Sequence, residues 1–350
     1  MNDISIGRKR VGEGHPCFII AEAGSNHDRK LEQAYRLINI AKESGADAVK
    51  FQTYTAECLY SKKTPKPEYL KKKGLSSKDE SLWDVIKRIE MPREWHAKLK
   101  DYCSKNDIIF MSTPFDLRAV DELEEVGMLA YKIASFEITH LPLLEKAGNT
   151  GKPIILSTGM ADLSDIKIAL KIIYNAGNHK VALLHCAVNY PPKYEDLNLR
   201  AMDTMRQAFK VPVGFSDHTL GIISAIAAVA RGACIIEKHF TIDRKLKGPD
   251  HSFALEPDEF KEMVRAIRDT EKSLGSAAKK RSPSEEELYL IGRRSLVAGC
   301  NISKGTKITR EMIEVKRPGY GIQVKEMDKL IGKIAKADIE EDDILKWDMF

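Results

Sequence analysis

Residues 211–239 read VPVGFSDHTLGIISAIAAVARGACIIEKH. Two short apolar runs, Val211 to Phe215 and Ala233 to Ile236, flank the apolar segment Ile222 to Ala230, and each run leads into a histidine, His218 or His239. Short continuous apolar runs read as strands buried on both faces, the habit of parallel sheets. The segment between them is far too short to span a bilayer and reads as a buried helix.

The same strand–helix unit recurs outward from here. Strands are predicted at Phe18–Ala21 (ending at Glu22), Ala48–Gln52, Ile108–Met111, Leu129–Ile133, Pro153–Leu156 and Val181–Leu184. Between them, Leu31, Ala34, Leu37, Ile38 and Ala41 keep helical spacing up to Gly45, and Leu163 to Tyr174 is framed by Asp162 as N-cap and Gly177 as stop. The total is about eight units, the number a TIM (β/α)8 barrel needs. A doubly wound open sheet is the competing arrangement, but no glycine-rich phosphate fingerprint follows the first strand.

The barrel is assigned to residues 1–275, with Pro257 to Leu274 as its last helix. Residues 276–290, which open SAAKKRSPS, have linker composition. Residues 291–350 then form a small β-rich module, with strand-like pieces at Ser295–Ala298, Lys307–Thr309, Ile313–Val315 and Gly332–Ala335. The connection 54–91 is long, rich in Lys, Ser and Pro, and reads as a lid with a short helix near Trp83 to Ile89.

A net charge of +5 is too mild for a nucleic-acid binder, and the one dense basic run, Lys62 to Lys73, is broken by prolines. It reads as a lip around a small anion or as a solvated loop. Six scattered cysteines without a CxxC pair indicate buried thiols and a cytoplasmic setting. Met1 to Arg10 lacks the apolar core of a signal peptide, and no stretch suits a membrane.

In a barrel the strand ends form the active site, and here they carry chemistry. His218 and His239 end adjacent strands ~5 Å apart and read either as an open divalent-metal site or as two hydrogen-bonded strand caps. Glu22, Lys50, Gln52, Lys132, Ser135, Glu137, Ser157 and Ser216 occupy other strand ends. Two lysines among hydroxyls suit phosphate and carboxylate; the alternative is internal pairing of Lys50 and Lys132 with Glu22 and Glu137. His27 reads as structural, although Asn26-His27 lies just past the first strand. His185 and Cys186 are neighbours on a strand and face opposite ways, which rejects a nucleophile–base pair. His15, His96, His140 and His179 receive no functional role. Arg317 before Pro318-Gly319 reads as a surface turn or a clamp reaching into a barrel.

Several segments together resemble the bacterial sialic acid synthase family: IAEAGSNH (20–27), VKFQT (49–53), STPF (112–115), YKIAS (131–135), LSTGM (156–160), FSDHT (215–219) and EKHF (237–240). KRPG (316–319) is similar to the antifreeze-like SAF domain that follows the barrel in those enzymes. The resemblance implies condensation of phosphoenolpyruvate with an N-acetylmannosamine-type sugar to a nine-carbon 2-keto acid and phosphate. It implies that His218 and His239 hold Mn²⁺ (or Mg²⁺ or Co²⁺), that Glu22 is catalytic, and that Lys50, Thr113, Lys132, Ser135, Ser157 and Ser216 hold phosphoenolpyruvate. Gln52, Glu137, Tyr190 and Asp250 would hold the sugar, and Arg317 would reach the partner barrel of a domain-swapped homodimer. Val188 stands where some synthases have Asn, with Asn189 one place later. Gly248-Pro249-Asp250 resembles neuraminate- and legionaminate-type synthases more than pseudaminate-type ones. Alternatives are a pseudaminate synthase, a synthase of 6-phosphorylated sugars, and a sugar-binding protein on an inactive barrel.

Overall fold

The computed structural model describes residues 3–65 and 81–350; the middle of the connection read as a lid, and most of the basic run, lie outside the described residues. The chain divides into two compact units, Met1–Gly275 and Ser276–Phe350.

The first unit is built on eight parallel strands among the described residues: β3 (Phe18–Glu22), β4 (Ala48–Thr53), β5 (Ile109–Pro114), β6 (Tyr131–Ile133), β7 (Ile154–Ser157), β8 (Val181–Cys186), β9 (Val213–Asp217) and β10 (Ile235–His239). Their order, β5-β4-β3-β10-β9-β8-β7-β6, runs round a nearly closed TIM-like barrel. The helix Leu163–Asn175 starts on a capping box made by Asp162 and Asp165. In the helix Leu31–Glu43, Ala34, Leu37, Ile38 and Ala41 form the buried face.

Strand parity separates two cores. Ile19, Val49, Phe110, Tyr131, Ile154, Val181, Phe215 and Ile236 point outward and pack with helix residues. Phe18, Ile20, Ala48, Met111, Ile155, Ala182, Leu184 and Ile235 point inward and fill the lower barrel. The N-terminal hairpin, β1 (Ile4–Ile6) with β2 (Lys9–Val11), adds Ile4, Ile6 and Val11 to this inner cluster and so plugs the lower end. Continuing the inward parity upward replaces apolar residues by polar ones, which is where the site forms.

In the second unit β11 (Ser295–Ala298) pairs antiparallel with β12 (Ile313–Lys316). The two other expected strands do not form as such. Lys307 and Ile334 meet in an isolated bridge, because these pieces are too short to sustain a ladder. Leu296, Ala298, Ile302, Ile308, Leu330 and Leu345 are fully or almost fully buried in the unit's own small core. The stretch read as linker is partly folded: Pro283–Glu285 makes a 3-10 turn and Glu286–Gly292 a short helix. No helix among the described residues is long and apolar enough to cross a membrane.

Candidate active site

The inward-pointing strand ends surround a small cavity lined by Glu22, Lys50, Gln52, Thr113, Lys132, Ser135, Ser157, Tyr190, Ser216, His218 and His239, with Phe115, Ala134, Phe136, Cys186 and Glu237. Register explains the convergence: Glu22 lies opposite both Lys50 and His239, and Ser216 opposite both Cys186 and Glu237.

The charges form one buried network. Lys50 Nζ lies 2.8 Å from Glu22 Oε2 and 3.8 Å from Glu237 Oε2. Lys132 Nζ lies 3.3 Å from Glu237 Oε1. The partner of Lys132 is therefore Glu237, and not Glu137 as the internal-pairing alternative supposed. Strands β6 and β10 are separated by three others in the sheet, and their side chains meet across the barrel lumen. Gln52 Nε2 donates to Glu22 Oε1 at 2.7 Å, Lys50 Nζ to Thr113 Oγ1 at 3.0 Å, and Ser216 Oγ to Glu237 Oε1 at 3.2 Å.

Burial pushes the Glu22 carboxyl up, and Glu237 adds to this while Lys50 opposes it. Burial acts the same way on Glu237, but Lys132 and Lys50 outweigh it and hold that group down. The pair thus favours a proton on Glu22 and a charge on Glu237. With both lysines charged, that state leaves the mouth net positive, as an anionic ligand requires.

The hydroxyls complete an anion-binding surface. Ser135 Oγ accepts the Gly159 N–H at 3.0 Å, which leaves its own proton to donate. A side chain on Gly159 would collide with Val188 and press on this hydroxyl. Ser157 Oγ is buried with no hydrogen-bond partner among the described residues.

The two imidazoles face each other with ring centroids 5.3 Å apart. The His218 Nδ1 atom is 3.0 Å from the Ala187 carbonyl oxygen. A carbonyl only accepts, so Nδ1 carries the proton and Nε2 keeps its lone pair. Burial, with smaller contributions from neighbouring cations and the other ring, pulls both histidines down to about 3. Both are neutral at neutral pH, the state that ligates metals. His239 Nδ1 is buried and unpartnered among the described residues. Tyr190 packs against His218 at 4.4 Å and Phe253 against His239 at 5.0 Å.

The other predicted residues fall outside the lining. Glu137 is buried at the end of the 3-10 turn Ser135–Glu137. Asp250 Oδ2 accepts from Ser25 N at 3.2 Å and Ser25 Oγ at 3.0 Å. Gly24, at φ +51°, leaves the space that Asp250 and the edge of His239 occupy. Arg317 belongs to the second unit. Asn26 is buried and donates to the Phe240 carbonyl, and His27 packs edge-on against Trp95. His185 bonds the Leu197 carbonyl while Cys186 points into the cavity, 3.6 Å from His218 Nδ1. Val188 and Asn189 lie in the loop after β8. Glu237 received no role from the sequence; its signal is that it stands two residues before His239 and shares its face.

The model of the NeuB family matches residues 37–279, and the model of the SAF domain matches residues 293–350. The chain belongs to the NeuB family. It is 44% identical over 331 residues to the N,N'-diacetyllegionaminic acid synthase of Campylobacter jejuni, covering 94% of this chain and 98% of the relative. It is 37% identical over 320 residues to the pseudaminic acid synthase of Helicobacter pylori, covering 91% and 94%. Among solved structures it is similar to the N-acetylneuraminic acid synthetase of Leptospira borgpetersenii in complex with citrate, with TM-score 0.72, 36% identity, and 82% and 95% of the two chains covered. The chain thus shares its fold and its family with synthases of nonulosonic acids.

Proposed function

We propose that the protein condenses phosphoenolpyruvate with an open-chain N-acetylmannosamine-type sugar, giving a nine-carbon 2-keto acid of the neuraminate or legionaminate type and inorganic phosphate. The observation that carries this reading is the joining of two buried ammonium groups, several serine and threonine hydroxyls and two neutral imidazoles in one mouth.

Lys50, Lys132, Thr113, Ser135, Ser157 and Ser216 would hold the phosphate and carboxylate of phosphoenolpyruvate. His218 and His239 fit a divalent ion, Mn²⁺ or Mg²⁺: both are neutral and adjacent, and His218 keeps the lone pair of Nε2. No group of three or more His, Cys, Asp or Glu suited to a metal occurs among the described residues, so water or substrate would complete the shell. When bound, such an ion supplies Lewis-acid polarisation of the sugar aldehyde.

Carbon 3 of phosphoenolpyruvate attacks the aldehyde carbon, and the aldehyde oxygen takes the proton that burial keeps on Glu22. Water adds at carbon 2, returning one proton to Glu22. The resulting tetrahedral carbon expels phosphate by C–O cleavage, and the second water proton leaves with the phosphate. Glu237 stays charged and holds both lysines in place. Gln52, Tyr190, Asp250 and Glu137 are assigned to the sugar.

Exposed apolar side chains occur in the segments that follow the strand ends, among them Met160 (65% exposed) after β7 and Ile223 (69%) after β9. They support docking of a partner's SAF domain, with Arg317 on the sugar's N-acyl group in a cytoplasmic homodimer.

The test is phosphate release from phosphoenolpyruvate with Mn²⁺ and, separately, N-acetylmannosamine, its 6-phosphate, and 2,4-diacetamido-2,4,6-trideoxymannose. Release that needs the first or third sugar and stops with chelator supports the reading. Release with the 6-phosphate alone supports the phosphosugar alternative. Sugar binding without any release points to an inactive barrel.

A further inference from the structure

Asp217 and Lys238 form a buried ion pair that the cavity does not use. Each directly precedes one of the two histidines, and they sit opposite each other in the β9–β10 register. By parity both point away from the lumen. Lys238 is 1% exposed and Asp217 0%.

Every charge-bearing atom is satisfied. Lys238 Nζ donates to Asp217 Oδ2 at 2.8 Å and to the Thr219 carbonyl at 2.5 Å. Asp217 Oδ1 accepts the Thr219 N–H at 2.9 Å and its hydroxyl at 2.8 Å. Residues 217 and 219, on either side of His218, are therefore tied to each other and to the residue before His239.

The outward residues preceding the inward tips of the other six strands are Ala21, Phe51, Ser112, Tyr131, Leu156 and His185. None carries an acid or an ammonium. A buried ion pair contributes little net stability compared with apolar packing, so its confinement to these two strands calls for a geometric role.

We propose that Asp217, Lys238 and Thr219 are positioning residues: a clamp on the outer barrel face that fixes the spacing and orientation of His218 and His239 for a divalent ion. The proposal rests on the metal reading of that histidine pair. His239 gives the clamp its purpose, because its buried Nδ1 has no hydrogen-bond partner among the described residues to orient the ring. A ligating histidine is ordinarily oriented through its second nitrogen. Here backbone register, held by the clamp, and the packing of Phe253 take that task.

The test compares the full chain with Asp217→Asn/Lys238→Met, which removes both charges together and avoids stranding one in the core. Mn²⁺ binding without substrates is measured by calorimetry and by the Mn²⁺ resonance signal. Phosphoenolpyruvate binding without metal and the near-UV circular dichroism serve as controls. The expected result is Mn²⁺ affinity weakened about 10- to 100-fold, the range for residues that orient metal ligands, with both controls retained. Unchanged Mn²⁺ affinity in the folded double variant overturns the clamp. So does loss of the dichroism and of both ligands together, which marks a general structural role. Absence of Mn²⁺ binding by the unaltered chain overturns the clamp and the metal reading, whereas failure to bind phosphoenolpyruvate alone counts against the proposed substrate. Lys238→Met alone provides a second check: it leaves Asp217 uncompensated and should lower the thermal midpoint more than the double variant does.

Discussion

Replacing Ser157 by Ala should move stability and substrate use in opposite directions. Ser157 ends β7, is 1% exposed, and its hydroxyl has no hydrogen-bond partner among the described residues. An unsatisfied buried polar group costs ~1–3 kcal/mol, so the alanine variant should be more stable by about 1 kcal/mol without ligand. For a unit of this size that is a rise of ~2–4 °C in thermal midpoint. If the hydroxyl donates to the phosphate or carboxylate of phosphoenolpyruvate, its loss forfeits a hydrogen bond to a charged group, ~1.5–3 kcal/mol. At ~1.4 kcal/mol per decade this raises KM for phosphoenolpyruvate about 10- to 150-fold, with little effect on KM for the sugar. The assays are a thermal melt without ligands and phosphate release at varied phosphoenolpyruvate. A melting point lowered by several degrees would refute the reasoning because it means that the hydroxyl is satisfied within the protein, and an unchanged KM because it means that the hydroxyl does not reach phosphoenolpyruvate.

His218→Ala and His239→Ala should each abolish turnover while the circular dichroism stays native; metal-dependent phosphate release by both variants would sink the metal assignment. Arg317→Ala should raise KM for the sugar more than for phosphoenolpyruvate, and an unchanged sugar KM would count against the cross-subunit clamp. Burial first of all holds His27 and His96 down to about 4, against an ordinary value near 6.5. Their neutral forms therefore favour the folded state fully above ~6.5, and that advantage is lost as pH falls toward ~4, because the unfolded chain takes up the protons first. Each contributes roughly 3 kcal/mol over this window. His96 bonds the Thr53 hydroxyl at 2.9 Å, so His96→Gln keeps a polar partner there and should flatten the fall of the urea midpoint between pH 7 and 4.5. Equal slopes in variant and parent would show that His96 is not a source of acid sensitivity.

The sequence alone was enough for the barrel. Short continuous apolar runs, alternating with segments of helical spacing, read as strands covered on both sides, and the regular helices between them favour a parallel sheet. The chemistry at the mouth was legible in part for the same reason: the polar residues that end the apolar strands alternate between the lumen and the outer face, and those of inward parity gather at the mouth. Glu22, Lys50, Lys132, Ser157, Ser216, His218 and His239 all arrive there.

What the tertiary structure decided were relations between strands distant in the chain. Lys132 pairs with Glu237 because barrel closure brings β6 and β10 across the lumen, a contact that no local pattern encodes. Cys186 enters the cavity and His185 leaves it because the parity of β8 is set by its neighbours' register. The linker-like run after Gly275 folds partly into a turn and a helix, since a capping box at Ser282 and Glu285 outweighs its basic, proline-bearing composition. The tie between Asp217, Lys238 and Thr219 appears only when two outward faces are laid side by side. Local sequence fixes which face a side chain takes; only the closed sheet fixes what it meets.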